Sequence, residues 1–121
     1  NTTLTDWWDN AATAKEKRTA ATYLRMTPAL KPTAAQVKAV KTGAARQALI
    51  RAALASPSAR AIIPMYDWLG LGAEAHLNTP GRLGGNWAWR ARAGFATAAL
   101  AEEIRQECEV CCRAGPAVSA E

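Results

Sequence analysis

The scarcity of large apolar side chains is the feature that most constrains how this chain can fold. Alanine accounts for 29 of the 121 residues, whereas Leu, Ile, Val and Phe together account for only 19. Alanine favours helix but removes little apolar surface from water when it is buried. A core this thin only marginally offsets the conformational entropy lost on folding. Because the chain also begins at Asn1 and not at Met, we expect a piece of a larger protein whose helices need further packing partners.

Apolar length and charge exclude or disfavour several classes of protein. No window approaches the 18 consecutive apolar residues that suggest a membrane-spanning helix, so we expect no membrane partner. The net charge is +5, but the 15 basic residues are scattered from Lys15 to Arg113. Scattered charge is typical of a solvated surface and not of a phosphate-binding stripe, so we expect no nucleic-acid partner. A small basic helical nucleic-acid-binding module is the alternative function that charge and helix content leave open.

The three cysteines lie within five residues, at Cys108, Cys111 and Cys112. An odd number so clustered cannot form a disulfide framework, which favours a reducing, cytoplasmic compartment. A structural zinc site needs four ligands, and the only histidine, His76, is far away in the sequence. We therefore predict no metal site and no cofactor, and we interpret the cysteines as buried or half-exposed residues of a helix.

Two capping boxes predict helix starts in the first third of the chain. Thr13 with Glu16 opens a helix that runs to about residue 25. Thr33 with Gln36 opens a second helix, which Gly43 is expected to break. Both boxes pair a hydroxyl with a side chain three residues later, so they satisfy amide groups that the first turn leaves free.

Helical spacing of apolar residues predicts two further helices. The first covers residues 44–55 and ends before a proline, and the second covers about residues 97–113. The last helix carries one apolar stripe, with most of its charges on the other side. This stripe consists of Leu100, Ile104, Cys108 and Cys111.

A short apolar run between these helices predicts one buried strand, at residues 61–65. The run is β-branched at its centre and bounded by turn residues, with Pro64 near its end. A single strand cannot satisfy its own backbone groups, so its partners must lie elsewhere. The order helix, helix, strand, long loop, helix therefore predicts an α/β fold whose parallel sheet is mostly absent from this chain.

The loop at residues 67–92 is the predicted functional region. It holds five glycines, and its three tryptophans argue against disorder. An ordered loop after the carboxyl end of a strand is where barrel and doubly wound enzymes carry ligand sites. Asp67 and Glu74 are its candidate ligand-facing carboxylates, although nothing in their spacing makes them face each other. The tryptophans suit sugar recognition, but in so thin a core most of them are expected to serve in packing.

Three blocks of this region have a distinctive order and spacing: PMYDWLGLG from Pro64, EAHLNTPG from Glu74 and GNWAWR from Gly85. Together they closely resemble the C-terminal end of 4-alpha-glucanotransferases, the amylomaltases or disproportionating enzymes of glycoside hydrolase family 77. The opening NTTLTDWW resembles the segment that directly follows the family's His-Asp pair, with Thr2 and Asp6 in place of an Asp and a Gly. The resemblance covers nearly the whole chain and is weakest between residues 28 and 43.

The resemblance implies that the chain is the last part of a (β/α)8 TIM barrel. Residues 1–58 would be a helical segment after strand seven, residues 59–92 the last strand and the substrate-side loop, and residues 93–121 the terminal helix and tail. Family members are retaining enzymes with an Asp nucleophile, a Glu acid/base and a second Asp that stabilises the transition state. None of these carboxylates maps onto this chain, and the stabilising Asp would lie just upstream of Asn1. The resemblance therefore implies no catalytic residue here.

The resemblance also implies a substrate and a binding loop. The family transfers α-1,4-glucan segments to the 4-hydroxyl of an acceptor glucan, so the implied partners are a maltooligosaccharide or α-glucan and the N-terminal part of the same barrel. Asn78 matches a family residue that lines the glucan groove, and Asp67 and Glu74 are its neighbours as substrate-binding candidates. Tyr66 stands where many members have Gln. This chain alone is expected to be inactive.

Overall fold

The structure is a computed structural model that describes residues 2–115. Asn1 and the predicted tail after Gly115 lie outside the described residues. The described part is helical, with a π-helical turn at Trp7–Ala11 and a 3-10 turn at Ala73–Ala75. Its α-helices are α1 Leu4–Asp6, α2 Ala14–Tyr23, α3 Ala34–Lys38, α4 Thr42–Leu54, α5 Met65–Trp68 and α6 Ala98–Val110.

Both predicted capping boxes are confirmed. The Thr13 hydroxyl accepts from the amide of Glu16, whose carboxylate accepts from the Thr13 amide at 2.8 Å. Thr33 and Gln36 make the same reciprocal pair at the start of α3. The predicted break at Gly43 is wrong, because α3 already ends at Lys38 and Gly43 lies in the first turn of α4.

The predicted strand at residues 61–65 is wrong for this chain. Residues 61–64 form no ladder with any part of the chain that the structure describes, and Met65 already begins α5. A strand needs a second strand for its amide and carbonyl groups, and the described residues offer none. Pro64 has no amide hydrogen and is the residue that immediately precedes the first turn of α5. The side chain of Ile62 is 88% exposed, whereas Ile63 packs on the core.

The core is as thin as the composition predicts. Its fully buried cluster consists of Ile50, Leu54 and Trp68, contributed by α4 and α5. Leu4 packs against this cluster from the opening segment. Leu100, Ile104 and Cys111 of the predicted terminal stripe also pack on it, so this part of the prediction is confirmed.

Arginine side chains join α4 to the terminal helix. Arg51 forms a two-pronged contact with Glu107, with Nε to Oε2 at 2.8 Å and Nη2 to Oε1 at 2.5 Å. The hydrogen bonds from Arg51 lower the pKa of the Glu107 carboxyl. Arg113 donates to the carbonyl oxygens of Leu54, Ser56 and Ser58. These contacts satisfy carbonyl groups that the end of α4 leaves free.

None of the helices within residues 2–115 combines the length and the apolar character needed to cross a bilayer.

We expect Ile50→Ala to destabilise the chain far more than Ile62→Ala, although both remove the same atoms. Ile50 is 2% exposed and Ile62 is 88% exposed. The buried substitution leaves a cavity and costs about 2–5 kcal/mol, while the exposed one changes the free energy of unfolding by less than about 0.5 kcal/mol. Urea unfolding followed by circular dichroism measures both values. Equal losses for the two variants would contradict the placement of Ile62 outside the core.

Candidate functional site

The opening segment, residues 2–6, lies against the start of the predicted functional region. Asp67 is 6% exposed, and its Oδ1 accepts a hydrogen bond from the backbone amide of Leu4 at 2.8 Å. Burial raises the pKa of Asp67, while the Leu4 amide and the charge of Arg46 act in the opposite direction. The Asp67 carboxylate therefore holds the first turn of α1 in place.

Arg46 of α4 fixes the backbone that carries Asp67. Its Nη1 donates to the carbonyl oxygens of Asp67 and Trp68 at 2.8 and 2.9 Å. Gly70 follows with φ of +67°, and a Cβ atom there would lie 3.3 Å from Nε of Arg46. The left-handed conformation and the close approach together favour glycine at this position.

Asp6 and His76 form a second contact between the opening segment and the loop. His76 Nε2 lies 3.1 Å from Asp6 Oδ2, which also accepts from the Thr2 hydroxyl at 2.9 Å. Asn10 donates to the other carboxylate oxygen of Asp6 at 2.8 Å. These interactions lower the pKa of Asp6, the Asn10 hydrogen bond most strongly. The opening segment is thus held from two sides, by Asp67 and by His76.

Glu74 is exposed and turned toward its own backbone. Its Oε1 accepts from the amide of Gly72 at 2.9 Å, and this hydrogen bond is the main cause that lowers its pKa. The backbone amide of Glu74 itself also lowers this pKa through a hydrogen bond. Each carboxylate oxygen has two lone pairs, so the exposed group can still accept from a ligand hydroxyl.

Asn78 is half-buried at the start of a loop that is closed by its own hydrogen bonds. The amide of Trp87 donates to the Leu77 carbonyl at 2.5 Å, and the amide of Thr79 donates to Oδ1 of Asn86 at 2.9 Å. Within residues 2–115 the side-chain amide of Asn78 makes no hydrogen bond. The loop therefore presents an unsatisfied amide, which can donate to and accept from a sugar hydroxyl.

The tryptophans divide between packing and exposure. Trp8 and Trp68 are buried, and Trp7 and Trp89 are half-buried, so four of the five tryptophans serve at least partly in packing, as expected. Trp89 makes an edge-to-face contact with Tyr66, with ring centroids 5.8 Å apart. Trp87 is 64% exposed and adopts φ of +61°, so its indole is available to a ligand.

The three sequence-predicted site residues thus lie on one stretch of chain but have different surroundings. Asp67 is enclosed and engaged with Leu4, whereas Glu74 and Asn78 remain accessible at the loop. No hydrogen bond links any two of the three among the described residues. No group of three or more His, Cys, Asp or Glu residues within this part of the chain could hold a metal ion. The arrangement suits hydroxyl recognition and not acid/base chemistry by a carboxylate pair.

Sequence reasoning missed the contacts that organise the site. Asp6, His76, Arg46 and Asn86 were not predicted to have any role here. A signal existed for the opening turn, since Thr3 caps α1 by accepting from the Asp6 amide three residues later. The pairing of Asp6 with His76 joins residues 70 positions apart, and no local pattern encodes it.

Comparison with known proteins gives one consistent result. The family model of glycoside hydrolase family 77, described as 4-alpha-glucanotransferase, matches residues 1–97 and ends just before α6. A chloroplastic/amyloplastic 4-alpha-glucanotransferase of Arabidopsis thaliana is 37% identical over 74% of this chain and 13% of its own length. The 4-alpha-glucanotransferase of Synechocystis is 52% identical over 35% of this chain and 8% of its own length.

A third relative extends the alignment further along the chain. The 4-alpha-glucanotransferase of Clostridium butyricum is 31% identical over 86% of this chain and 19% of its own length. The chain therefore spans less than a fifth of the length of each of these relatives. No solved structure matches the chain.

We expect Asp67→Asn and Asp67→Ala to differ in their effect on stability. The asparagine keeps an oxygen that can accept from the Leu4 amide, so the free energy of unfolding at pH 7 should stay within about 1 kcal/mol of the unchanged chain. The alanine leaves a part-buried amide without a partner and should cost about 1–3 kcal/mol. Urea unfolding measures both. Equal losses would show that the hydrogen bond to Leu4 is not what Asp67 contributes.

The two aspartates of the site should have pKa values on opposite sides of the ordinary value, with Asp67 above it and Asp6 below it. Burial raises the pKa of Asp67, so its protonated form favours folding, and this contribution is lost as pH rises through the raised value. Hydrogen bonds lower the pKa of Asp6, so its contribution is present above the ordinary value of 3.8 and lost as pH falls through the lowered one. Carbon-13 NMR of the carboxyl groups should show Asp67 protonating before Asp6 as acid is added. Asp6→Asn and Asp67→Asn assign the two signals, and the reverse order would contradict the prediction.

Proposed function

This chain belongs to the 4-alpha-glucanotransferase family, glycoside hydrolase family 77, and on that premise we propose that it supplies the closing part of a glucan-transferring barrel. The complete enzyme transfers an α-1,4-glucan segment from a donor to the 4-hydroxyl of an acceptor glucan. The chain contributes substrate contacts and positioning, while the nucleophile, the acid/base and the stabilising carboxylate come from the remainder of the barrel.

The lack of strand partners for residues 61–64, among the described residues, is evidence for the proposed barrel. Residues 61–64 belong to no helix and no strand, lack strand partners among the described residues and leave the side chain of Ile62 88% exposed. A neighbouring strand would satisfy the backbone of this segment and cover Ile62. In the proposed division, residues 1–58 are the helical segment after strand seven, residues 59–92 are strand eight with its substrate-side loop, and residues 93–121 are the terminal helix and tail.

The observation that carries the proposed activity is the free side-chain amide of Asn78 on an internally braced loop. In the proposed enzyme this amide bonds a sugar hydroxyl, directly or through one water. Glu74 accepts from a second hydroxyl through a remaining lone pair of its exposed carboxylate. The exposed indole of Trp87 supplies a flat apolar face for the C–H side of a glucose ring.

Asp67 has a different part in the proposed enzyme, as a positioning residue. It holds the amide of Leu4, and by resemblance the segment that begins at Asn1 directly follows the family's stabilising Asp. The contact of His76 with Asp6 holds the same segment from the loop side. These two contacts therefore hold the loop at residues 67–92 in a fixed position relative to the opening segment.

Transfer instead of hydrolysis places a further demand on this loop. The acceptor sugar must outcompete water for the covalent glucosyl intermediate, so the acceptor region must bind sugar and exclude solvent. Asn78, Trp87 and the closed loop between residues 77 and 87 meet that demand with polar contacts and apolar area. The chemistry needs no cofactor from this chain.

We place the protein in the cytoplasm. All three cysteines are free, as a reducing compartment would keep them. The Arabidopsis thaliana relative, by contrast, is named as a chloroplastic/amyloplastic protein.

Complementation tests the proposed function. The chain is co-expressed with the Clostridium butyricum 4-alpha-glucanotransferase from which the segment aligned to 86% of this chain, and everything after it, has been removed. We expect the pair to convert maltotriose into glucose and longer maltooligosaccharides, and either part alone to be inactive. Disproportionation of maltotriose by this chain alone, or none by the pair after co-purification, would contradict the proposal.

We expect Asn78→Ala in the complemented enzyme to lower kcat/KM for maltotriose about tenfold, the equivalent of one lost hydrogen bond of about 1.4 kcal/mol. Gln47→Ala is the matched control, because it removes the same amide group from an exposed position on α4. The control should retain full activity. Unchanged kcat and KM in the Asn78 variant would remove this residue from the substrate site.

A further inference from the structure

A groove far along the chain from the glucan loop has a composition that the proposed function does not use. It lies between α2, α3 and the start of α4 and has a volume of about 920 Å³. Val40 and several small alanine side chains line it together with Trp8 and Val37, which are themselves buried. The groove therefore has an apolar floor and is large enough to hold several side chains of a ligand.

Cationic side chains converge on this groove. Four of the five lysines of the chain line it, together with one arginine. These residues are Lys15, Lys17, Arg18, Lys38 and Lys41. The sequence spreads them over residues 15–41, so only the packing of the helices brings them to one rim.

The positive charge of the rim is uncompensated within residues 2–115. None of the five cations forms a salt bridge in this part of the chain. The single carboxylate of the groove, Asp9, accepts from the Thr42 hydroxyl at 2.5 Å. Lys17 lies over the buried Trp8 ring, with Nζ 5.7 Å from the ring centroid. An apolar floor with an unpaired cationic rim is complementary to a ligand that is apolar on one face and acidic on the other.

We propose that this groove is the docking site for an acidic amphipathic helix of a partner protein. Such a helix lays apolar residues at positions i, i+3, i+4 and i+7 into the groove and presents glutamates or aspartates to the lysines. Charge complementarity carries this choice of occupant. Neutral glucan hydroxyls gain little from five positive charges.

Single-stranded nucleic acid fits the groove less well. It binds through exposed aromatic faces on which bases stack, but Trp8 is only 4% exposed. Phosphates alone would also leave the apolar floor without a partner. The helix satisfies both the floor and the rim.

The test uses a fluorescein-labelled synthetic helical peptide with leucines at that spacing and glutamates elsewhere, titrated with the 121-residue chain. We expect saturable binding by fluorescence anisotropy that weakens as salt is added. Lys38→Glu combined with Lys41→Glu should weaken binding at least tenfold. Arg60→Glu combined with Arg92→Glu changes the net charge equally at exposed positions outside the groove and should change binding less than twofold.

Two altered peptides separate the contributions of rim and floor. A peptide with glutamine for every glutamate, and one with serine for every leucine, should each lose at least tenfold in affinity. Circular dichroism verifies that the variants keep their helices, and Lys15→Gln with Arg18→Gln replaces the first pair if it does not.

Equal weakening by the groove and control variants would overturn the proposal, because it would show attraction by net charge alone. Tighter binding of a single-stranded oligonucleotide of equal charge would also overturn it, in favour of nucleic acid. Loss of peptide binding in the complemented enzyme would show that the rest of the barrel covers the groove. Binding in the complemented enzyme supports docking independently of whether that enzyme transfers glucan.

Discussion

The hydrogen bond from the Leu4 amide to the buried carboxylate of Asp67 is the interaction on which the site depends. It joins residues 63 positions apart and ties the opening turn to α5. Arg46 holds the other side of the same short helix through its two carbonyl oxygens. Without these contacts the loop that follows α5 would have no fixed relation to the opening segment. The contact of Asp6 with His76 then adds a second point of attachment.

Polar contacts do much of the joining because the core is small. The buried cluster of Ile50, Leu54 and Trp68 gives α4 and α5 one shared apolar surface. The terminal helix adds a few partly buried side chains and a two-pronged contact between Arg51 and Glu107. Pairs as exposed as this one contribute little individually, so the helices remain dependent on the small apolar cluster. The described helices are therefore held together mainly by this cluster, and the polar contacts add to it.

Residues 61–64 form no sheet because the described part of the chain offers no second strand to pair with them. Ile63 packs on the core, while the side chain of the neighbouring Ile62 is 88% exposed. An alternating pattern of this kind is what a strand with one covered face presents. In the proposed barrel the missing neighbours would come from the remainder of the enzyme, which also holds the catalytic carboxylates. In this proposal the remainder of the enzyme supplies both the strand that pairs with residues 61–64 and the catalytic carboxylates.

The sequence by itself determined the features that depend on a few neighbouring residues. The capping pairs at Thr13 and Thr33 act over three positions, so α2 and α3 begin where predicted. The sequence blocks around the loop likewise identified the family, because they are contiguous. Only the tertiary structure decided that residues 61–64 lack a strand partner within residues 2–115, that Asp67 faces Leu4, and that four lysines share one groove. These outcomes depend on which distant segments come into contact. Packing and the available hydrogen-bond partners determine those contacts, and no local sequence pattern specifies them.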